Sequence, residues 1–247
     1  SFRLDGRRAL VAGASSGIGA ACAVALAEQG AEVTICARRE SELQALAEEM
    51  KAEGWQAEIL PLDITDLAAT EGAVAARPAF DVLVNSAGLA RHSPAVDTTP
   101  EDYDAVTKLN VRAAYFLTRS VAKGLLAAGK PGSLINITSQ MAHVGGIDRA
   151  VYSATKHAVE GMTKSMAIEW GPHGIRVNTI APTFIRTALT AQTFANPERA
   201  AWIASKIKLG RVGEVEDIMG AVAFLASDAA ALVTGTSLVV DGGWTSD

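Results

Sequence analysis

Three residues able to take part in acid–base chemistry lie in one short stretch, "SQMAHVGGIDRAVYSATK", at residues 139–156. Tyr152 and Lys156 are four residues apart in a segment predicted to be helical, so their side chains share a helix face. A tyrosine hydroxyl ordinarily titrates at about pH 10, and a neighbouring ammonium group favours the phenolate. The spacing therefore predicts that Lys156 lowers the pKa of Tyr152, which makes this tyrosine a usable proton donor.

The spacing alone is not specific for an active site. A Tyr-x-x-x-Lys pair also arises by chance in a chain with three tyrosines, and Tyr152 would then be an ordinary residue of an amphipathic surface helix. Ser139, which follows a predicted strand, would then only close a turn. The choice between these interpretations depends on the elements around the three residues.

Short apolar segments alternate with longer helical segments along the chain. The apolar segments are almost uninterrupted, which is typical of strands buried on both faces in a parallel sheet covered by helices. Two of the helical segments end at Gly30 and Gly54, where glycine is favoured. The sequence predicts an α/β fold, a single-domain Rossmann-like doubly wound parallel sheet of about seven strands with helices on both faces. The predicted strands are residues 9–13, 32–37, 57–62, 81–85, 133–138, 176–180 and 237–240.

The composition and length favour one globular domain. Hydrophobic residues make up 49% and charged residues 20% of the 247 positions, and no linker, repeat or low-complexity tract divides residues 1–247. Only residues 183–213 interrupt the alternation, as an insertion after the sixth strand. Because long excursions from a compact domain are often functional, we expect this insertion to form a lid over the substrate.

Charge and cysteine content exclude several classes of partner. The net charge is -5 and the basic residues are scattered, so neither a nucleic acid nor a membrane surface is expected to bind. Cys22 and Cys36 lack a C-x-x-C or histidine neighbour, so we expect buried thiols and no metal site. No apolar stretch is long enough for a signal peptide or a membrane span, which favours a cytoplasmic protein.

A glycine-rich segment, "AGASSGIG", follows the first predicted strand and opens a helix. Glycines 13, 17 and 19 would permit a tight turn, close approach of a pyrophosphate, and packing of the helix on the sheet. The free N–H groups of the helix N-terminus favour an anion. An ordinary glycine-rich turn is the alternative. Asp63 and Asn85, at the carboxyl ends of the third and fourth strands, lie at the sheet edge where such folds bind ligands.

Together these motifs resemble the short-chain dehydrogenase/reductase family. The resemblance runs in order from "GRRALVAGASSGIG" through "VNSAG", "KLNVRAAYFLT", "INITS", "YSATK" and "IRVNTIAPTFIRT" to "VTGTSLVVDGG". Within the family, "SLINITSQ", "GPHGIRVN" and "APTFIRT" are most similar to carbonyl and xylulose-type (ketose) reductases. The resemblance implies hydride transfer with a nicotinamide cofactor. It also implies a homotetramer or homodimer with "GTSLVVDGGW" near a subunit contact.

The resemblance gives four residues catalytic roles. Tyr152 matches the family's acid/base, Lys156 its lysine, and Ser139 the serine that polarises the substrate carbonyl. Asn110 matches the asparagine that holds a water passing protons to the lysine, although taken alone it is also explained as a satisfied core amide. A serine hydroxyl is a suitable donor to a carbonyl oxygen on which charge develops. Lys156 is also implied to reach the nicotinamide ribose.

The end of the second strand bears on the choice between NADP and NAD. Family members that prefer NAD carry an aspartate there, which binds the ribose 2′-hydroxyl. Here Ala37 occupies that position, followed by Arg38 and Arg39, and planar guanidinium groups suit a 2′-phosphate. We therefore predict NADP(H), with NAD(H) as the alternative.

Two observations leave the alternative open. Many relatives that prefer NADP have a basic residue before Gly17, whereas this chain has Ser15 and Ser16. The arginines could also belong to a solvated helix start that contains Glu40 and Glu42.

The predicted cofactor contacts come from the glycine-rich turn, the carboxyl ends of the strands, the catalytic helix and the start of the lid. They are Gly13, Ser15, Ser16, Gly17, Ile18, Gly19, Arg38, Arg39, Asp63, Ile64, Asn85, Ala87, Gly88, Tyr152, Lys156, Pro182, Ile185 and Thr187.

The predicted substrate contacts are less specific. They are Ser139, Gln140, His143, Tyr152 and Phe194, with Met141, Arg149, Phe184, Leu189 and Trp202 as further candidates. This mixture favours reduction of a small polar carbonyl compound such as a ketose or diketone. An NAD-dependent polyol or sugar dehydrogenase working in the oxidative direction is the first alternative. A cofactor-sensing protein without catalytic activity is the second.

Overall fold

The computed structural model describes residues 1–188 and 190–246, which form one seven-stranded sheet with every neighbouring pair parallel. The strand order is β3-β2-β1-β4-β5-β6-β7. After β3 the chain crosses to the other side of β1, and the later strands are added outward from there. This confirms the predicted doubly wound sheet. The strands are Arg8–Ala12 (β1), Glu32–Ala37 (β2), Ala57–Pro61 (β3), Val82–Asn85 (β4), Gly132–Ile137 (β5), Ile175–Pro182 (β6) and Ser237–Val240 (β7).

Helices cover both faces of the sheet. A π-helical turn at Lys108–Ala113 joins two of them into one continuous run. The helices are Gly17–Glu28 (α1), Glu40–Ala52 (α2), Leu67–Ala75 (α3), Pro100–Thr107 (α4), Ala114–Ala128 (α5), Ala150–Trp170 (α6), Ala191–Phe194 (α7), Pro197–Lys206 (α8) and Glu216–Ala226 (α9).

Two apolar cores lie on opposite faces of the sheet. Successive strand residues point to opposite faces, so Val11 of β1 packs in the core with α1, α2 and α9, whereas Leu10 packs in the core with α3, α5 and α6. Cys22 and Cys36 lie one in each core, and burial raises the pKa of both thiols to about 12. The prediction of two buried cysteines is therefore confirmed.

Glycines end the first two helices as predicted. Gly30 follows α1 with φ +97° and Gly54 follows α2 with φ +86°. These left-handed conformations strain any residue with a side chain, which explains why glycine stops each helix at that point.

The segment from 183 to 213 follows β6 and ends just before α9. It contains the short helices α7 and α8, and the side chain of Asn196 caps α8 by accepting from the backbone nitrogen of Arg199 at 3.0 Å. Leu189, one of the candidate substrate contacts, lies outside the described residues. In the described ranges no helix is both long and apolar enough to cross a lipid bilayer.

Candidate active site

The glycine-rich turn between β1 and α1 is closed by backbone contacts. Gly13 has φ +77°, and a Cβ there would lie 2.6 Å from the backbone nitrogen of Ala87. A Cβ on Gly19 would overlap the carbonyl oxygen of Gly13. Ser16 precedes α1 without capping it through its side chain, so the first N–H groups of the helix stay available to an anion. These features fit a pyrophosphate at the turn.

The loop after β4 is fixed against this turn by Asn85. Its side-chain nitrogen donates to the side-chain oxygen of Asn136 at 3.0 Å, and its oxygen accepts from the backbone nitrogen of Ala87 at 3.2 Å. Gly88 follows, and a Cβ there would lie 3.7 Å from both Asn110 Oδ1 and Lys156 Nζ. The loop therefore connects the turn predicted to bind phosphates with two of the residues predicted to be catalytic.

The two arginines after β2 differ in what they contact. The guanidinium of Arg39 donates to the hydroxyl of Ser15 at 3.1 Å and forms an ion pair with Glu42 at 2.7 Å. The exposed guanidinium of Arg38 makes no hydrogen bond or ion pair with the described residues, although its charge helps to lower the pKa of Asp63. Arg38 therefore leaves its donors free at the end of β2.

Ser139, Tyr152 and Lys156 meet at the carboxyl edge of the sheet. Ser139 follows β5, while Tyr152 and Lys156 lie one turn apart on α6. The hydroxyl of Ser139 accepts from the backbone nitrogen of Met141 at 3.1 Å, and the ammonium of Lys156 donates to the carbonyl oxygen of Ile137 at 2.9 Å. Lys156 Nζ also lies 5.5 Å from the centre of the Tyr152 ring. All three residues line a cleft of about 710 Å³.

The predicted lowering of the Tyr152 pKa is wrong for this structure. Burial raises the pKa of Tyr152, although the hydrogen bond from Ser139 and the charge of Arg149 act in the opposite direction. Burial also lowers the pKa of Lys156 to about 8, against the charge of Glu160. The cost of burying the phenolate exceeds the effects that favour it, so Tyr152 is protonated at neutral pH.

Glu160 is a buried carboxylate beside these residues that the sequence analysis missed. It accepts from the hydroxyl groups of Thr138 at 2.7 Å, Thr179 at 2.8 Å and Ser237 at 3.0 Å. Its position four residues after Lys156 on α6 was a usable signal, because residues at this spacing share a helix face. Its negative charge favours the protonated form of Lys156.

Asn110 lies in the π-helical turn and is bonded on both sides of its amide. Its nitrogen donates to the carbonyl oxygen of Leu89 at 2.8 Å and to the hydroxyl of Thr155 at 3.1 Å. Its oxygen accepts from the backbone nitrogen of Leu89 at 2.8 Å. Asn110 thus anchors the loop after β4 to the residue that precedes Lys156. Its role in holding a water stays a prediction.

Several predicted contacts line the cleft with the catalytic residues. For the cofactor these are Ile18, Gly88, Pro182, Ile185 and Thr187, and for the substrate they are Gln140, Met141, Arg149 and Phe184. Gln140 is 1% exposed, and neither polar atom of its side-chain amide has a hydrogen-bond partner among the described residues. His92 and Arg199 also line the cleft but were not predicted.

Other predicted substrate contacts lie outside the cleft lining. The Nε2 atom of His143 lies 2.9 Å from the hydroxyl of Ser237, the first residue of β7. Phe194 packs against the guanidinium of Arg186, with 5.1 Å between the guanidinium carbon and the ring centre. Trp202 packs edge-on against Trp244 with ring centres 5.6 Å apart. The structure does not bring these three side chains to the catalytic residues.

Comparisons with known proteins confirm the predicted family. A family model of the short-chain alcohol dehydrogenase group, described as enoyl-(acyl carrier protein) reductase, matches residues 13–245. D-erythrulose reductase of Gallus gallus is 42% identical, with 99% of this chain and 97% of that protein covered. L-xylulose reductase of Bos taurus is 39% identical, with 98% of each chain covered.

A solved structure shows the same fold. The gluconate 5-dehydrogenase from Burkholderia cenocepacia, in complex with NADP and tartrate, superposes with a TM-score of 0.95 at 37% identity. The alignment covers 100% of this chain and 98% of that chain. The chain therefore belongs to the short-chain dehydrogenase/reductase family and is an oxidoreductase that acts on a CH–OH or C=O group.

Proposed function

We propose that this enzyme transfers a hydride between NADP(H) and a ketone or secondary alcohol, and that it reduces a small polar carbonyl compound such as a ketose. The observation that carries this proposal is the convergence of Ser139, Tyr152 and Lys156 in one cleft beside the glycine-rich turn. The nicotinamide, when bound, supplies the hydride or accepts it. The residues of the chain bind the carbonyl group and move the proton.

The proposed roles follow from the hydrogen bonds and pKa values of the site. Ser139 donates to the carbonyl oxygen, which becomes more negative as the carbonyl carbon is reduced. Tyr152 is protonated at neutral pH and gives its proton to the same oxygen, which becomes the alcohol. The ammonium of Lys156 then stabilises the tyrosinate. In the oxidative direction the same proton moves from the alcohol to the tyrosinate.

The remaining predicted residues are proposed to position these groups and the cofactor. Lys156 binds the nicotinamide ribose, and Asn110 holds the water that returns a proton towards Lys156. The two-sided bonding of Asn110 to Leu89 supports a role in fixing the loop on which Gly88 approaches the lysine. Asp63, Ile64 and Asn85 support the nucleotide at the ends of their strands.

The preference for NADP rests on Arg38 and Arg39. Position 37 is an alanine, so no carboxylate there repels a 2′-phosphate. The free guanidinium of Arg38 suits that phosphate. Arg39 places a second positive charge beside Ser15, in the part of the turn where many relatives that prefer NADP have a basic residue. A solvated helix start accounts for the Arg39–Glu42 pair but leaves Arg38 unexplained. The NADP in the related gluconate 5-dehydrogenase supports the same cofactor here.

Initial rates with a panel of substrates test this proposal. NADPH and NADH oxidation would be measured with L-xylulose, D-erythrulose, a diketone and a keto ester, and NADP⁺ and NAD⁺ reduction with the corresponding polyols. We expect NADPH-dependent carbonyl reduction at neutral pH. Polyol oxidation that requires NAD⁺, without NADPH-dependent reduction of any carbonyl compound, would establish the alternative polyol dehydrogenase instead.

We also propose that the enzyme is a homotetramer in the cytoplasm. The segment "GTSLVVDGGW" contains β7, an edge strand of the sheet whose Val239 is exposed. Leu232 and Ile168 add exposed apolar surface at 99% and 78% of their full accessibility. Light scattering coupled to size-exclusion chromatography would measure the mass in solution, and a monomer would contradict the tetramer.

A further inference from the structure

Two cations lie at the substrate end of the cleft, and no carboxylate of the described residues is paired to either of them. Arg149 precedes α6 by one residue and Arg199 belongs to α8 of the lid, so separate segments bring them to the same cleft. They are close enough that the charge of Arg199 contributes to lowering the pKa of Arg149. Like charges repel, so an anion that binds both guanidinium groups would remove this repulsion.

Arg149 is held in place by neutral partners. The Nη1 atom contacts Nε2 of the His92 imidazole and lies 3.2 Å from its Nδ1, and the guanidinium carbon lies 5.5 Å from the centre of the Phe184 ring. Burial first, then the charges of Arg149 and Arg199, lower the pKa of His92 to about 4. His92 is therefore uncharged at pH 7 and does not neutralise the charge of Arg149, which Asp148 offsets in part at a distance.

The other guanidinium donors of Arg149 remain available. Within the described residues, Nε and Nη2 of Arg149 make no hydrogen bond, although the residue is only 9% exposed. Among the described residues that line the cleft, Asp148 is the single carboxylate, and it forms no ion pair with either arginine. Asp148 also has φ +60°, an uncommon conformation for a residue with a side chain, in the loop before Arg149.

Two uncharged polar groups lie in the same cleft without partners. The amide of Gln140 and the hydroxyl of Thr183 are buried and unbonded within the described part of the chain. Buried polar groups are nearly always hydrogen-bonded, so these two are available to a ligand or to the ordered water that a ligand would displace. A hydroxyl group both donates and accepts, which matches an amide and a hydroxyl.

We infer that the substrate of this enzyme is a hydroxylated carboxylic acid, with its carboxylate bound by Arg149 and Arg199 and its hydroxyl groups by Gln140 and Thr183. The inference rests on the proposed function, because the same cleft must place the carbonyl carbon beside Ser139 and Tyr152. It narrows the substrate from neutral ketoses to keto acids of the sugar-acid class. A guanidinium binds a carboxylate through two parallel hydrogen bonds, which a terminal CH₂OH group cannot accept in the same way.

Binding of two four-carbon ligands tests this inference without turnover. Tartrate and threitol have the same central hydroxyl groups and differ only in their ends, which are carboxylates in tartrate and CH₂OH groups in threitol. Calorimetric titration of the NADPH-loaded enzyme, in which neither alcohol can be oxidised, should show at least about tenfold tighter binding of tartrate, because charge-assisted hydrogen bonds exceed neutral ones by this amount. The tartrate affinity should fall as ionic strength rises. Equal affinities for the two ligands would overturn the inference.

Variants test whether the two arginines cause the preference for tartrate over threitol. Arg149→Met with Arg199→Met should weaken tartrate about tenfold or more and leave threitol within threefold. Arg199→Met alone changes an exposed lid residue, so it keeps the test valid if the double variant does not fold. Arg119→Met, a half-buried arginine of α5 that is paired with Glu71 and does not line the cleft, is the matched control and should change neither affinity. Tartrate affinity within threefold of the parent after loss of both arginines would overturn the inference.

Turnover separates this inference from the proposed function. 5-Keto-D-gluconate and L-sorbose share one carbon skeleton and differ in a terminal carboxylate, and we expect kcat/KM with NADPH to favour the keto acid at least tenfold. A preference for L-sorbose would overturn the inference while leaving the proposed ketone reduction intact. Tight tartrate binding without NADPH-dependent reduction of either ketone would support the acid-binding cleft and contradict the proposed reaction.

Discussion

The two ends of the active-site cleft are built in different ways. At the nucleotide end the backbone makes the close contacts, and Gly13 and Gly19 leave no space for side chains. At the substrate end side chains from separate segments meet, among them His92, Arg149 and Arg199. The nucleotide end therefore tolerates almost no added volume, whereas the specificity of the substrate end depends on side chains that the fold does not require.

The largest expected effect lies where the two ends meet, at Tyr152. Tyr152→Phe removes the proton donor and keeps the ring, so turnover should fall by about 10²- to 10⁴-fold while NADP(H) affinity stays near that of the parent. Steady-state rates together with a fluorescence titration of NADPH would measure both quantities. Tyr103→Phe, on the exposed surface of α4, is the control. Turnover of the Tyr152 variant within threefold of the parent would remove the tyrosine from the mechanism.

Added volume at the nucleotide end should destabilise the fold. Gly19→Ala places a Cβ against the carbonyl oxygen of Gly13, and overpacking of this kind costs about 1–3 kcal/mol of unfolding free energy. Denaturant unfolding would measure it. Gly72→Ala is the matched control, because no atom lies within 4 Å of its Cβ position in α3 and the change should stabilise the protein by about 0.5–1 kcal/mol. Equal stability of the two variants would show that the turn tolerates volume.

A change of charge at the nucleotide end should alter the choice of cofactor without altering the fold. Ala37→Asp combined with Arg38→Leu adds an acceptor for the ribose 2′-hydroxyl and repels a 2′-phosphate. Loss of the charge-assisted hydrogen bond from Arg38 is worth about 1.5–3 kcal/mol, or about 10- to 150-fold in relative affinity. The ratio of kcat/KM for the two cofactors, with one ketone at fixed ionic strength, would measure the shift. A ratio within threefold of the parent would favour the solvated helix start.

The smallest expected effect is a shift of a pH midpoint at the buried Glu160. The pKa of Lys156 is about 8, so the ammonium beside Tyr152 is present below this pH and is lost as the pH rises through it. Glu160→Gln removes the charge that raises this pKa, so the decline of activity at alkaline pH should begin at a lower pH. Rates of NADPH-dependent reduction between pH 6 and 10 would show it. A shift in the opposite direction would contradict the assignment of Glu160.

The nucleotide end was largely predictable because its requirements are local in sequence. A glycine with no room for a Cβ appears as a spaced motif, and the apolar strands give their own bounds, as at β2 and β7. The substrate end was not predictable from the sequence, because His92 and Arg199 lie far apart in sequence and have no spacing that indicates a shared cleft. His143 follows Ser139 by four residues, yet a 3-10 turn at Gln140–Ala142 separates them and His143 contacts Ser237. Burial reversed the predicted shift of the Tyr152 pKa, because desolvation depends on tertiary packing.

The π-helical turn at Lys108–Ala113 makes the active site sensitive to the number of residues in the chain. A π turn holds about one residue more than an α turn, and single π turns inside α-helices are frequent at functional sites. Loss of one residue here would let the run from Pro100 to Ala128 continue as a regular helix, with the faces of α4 and α5 still aligned and without the wider turn that carries Asn110. The packing of α5 could then be kept while Asn110 loses its bonds to Leu89. Length variation in this segment is therefore a route by which a lineage of such proteins would keep the sheet and lose catalysis.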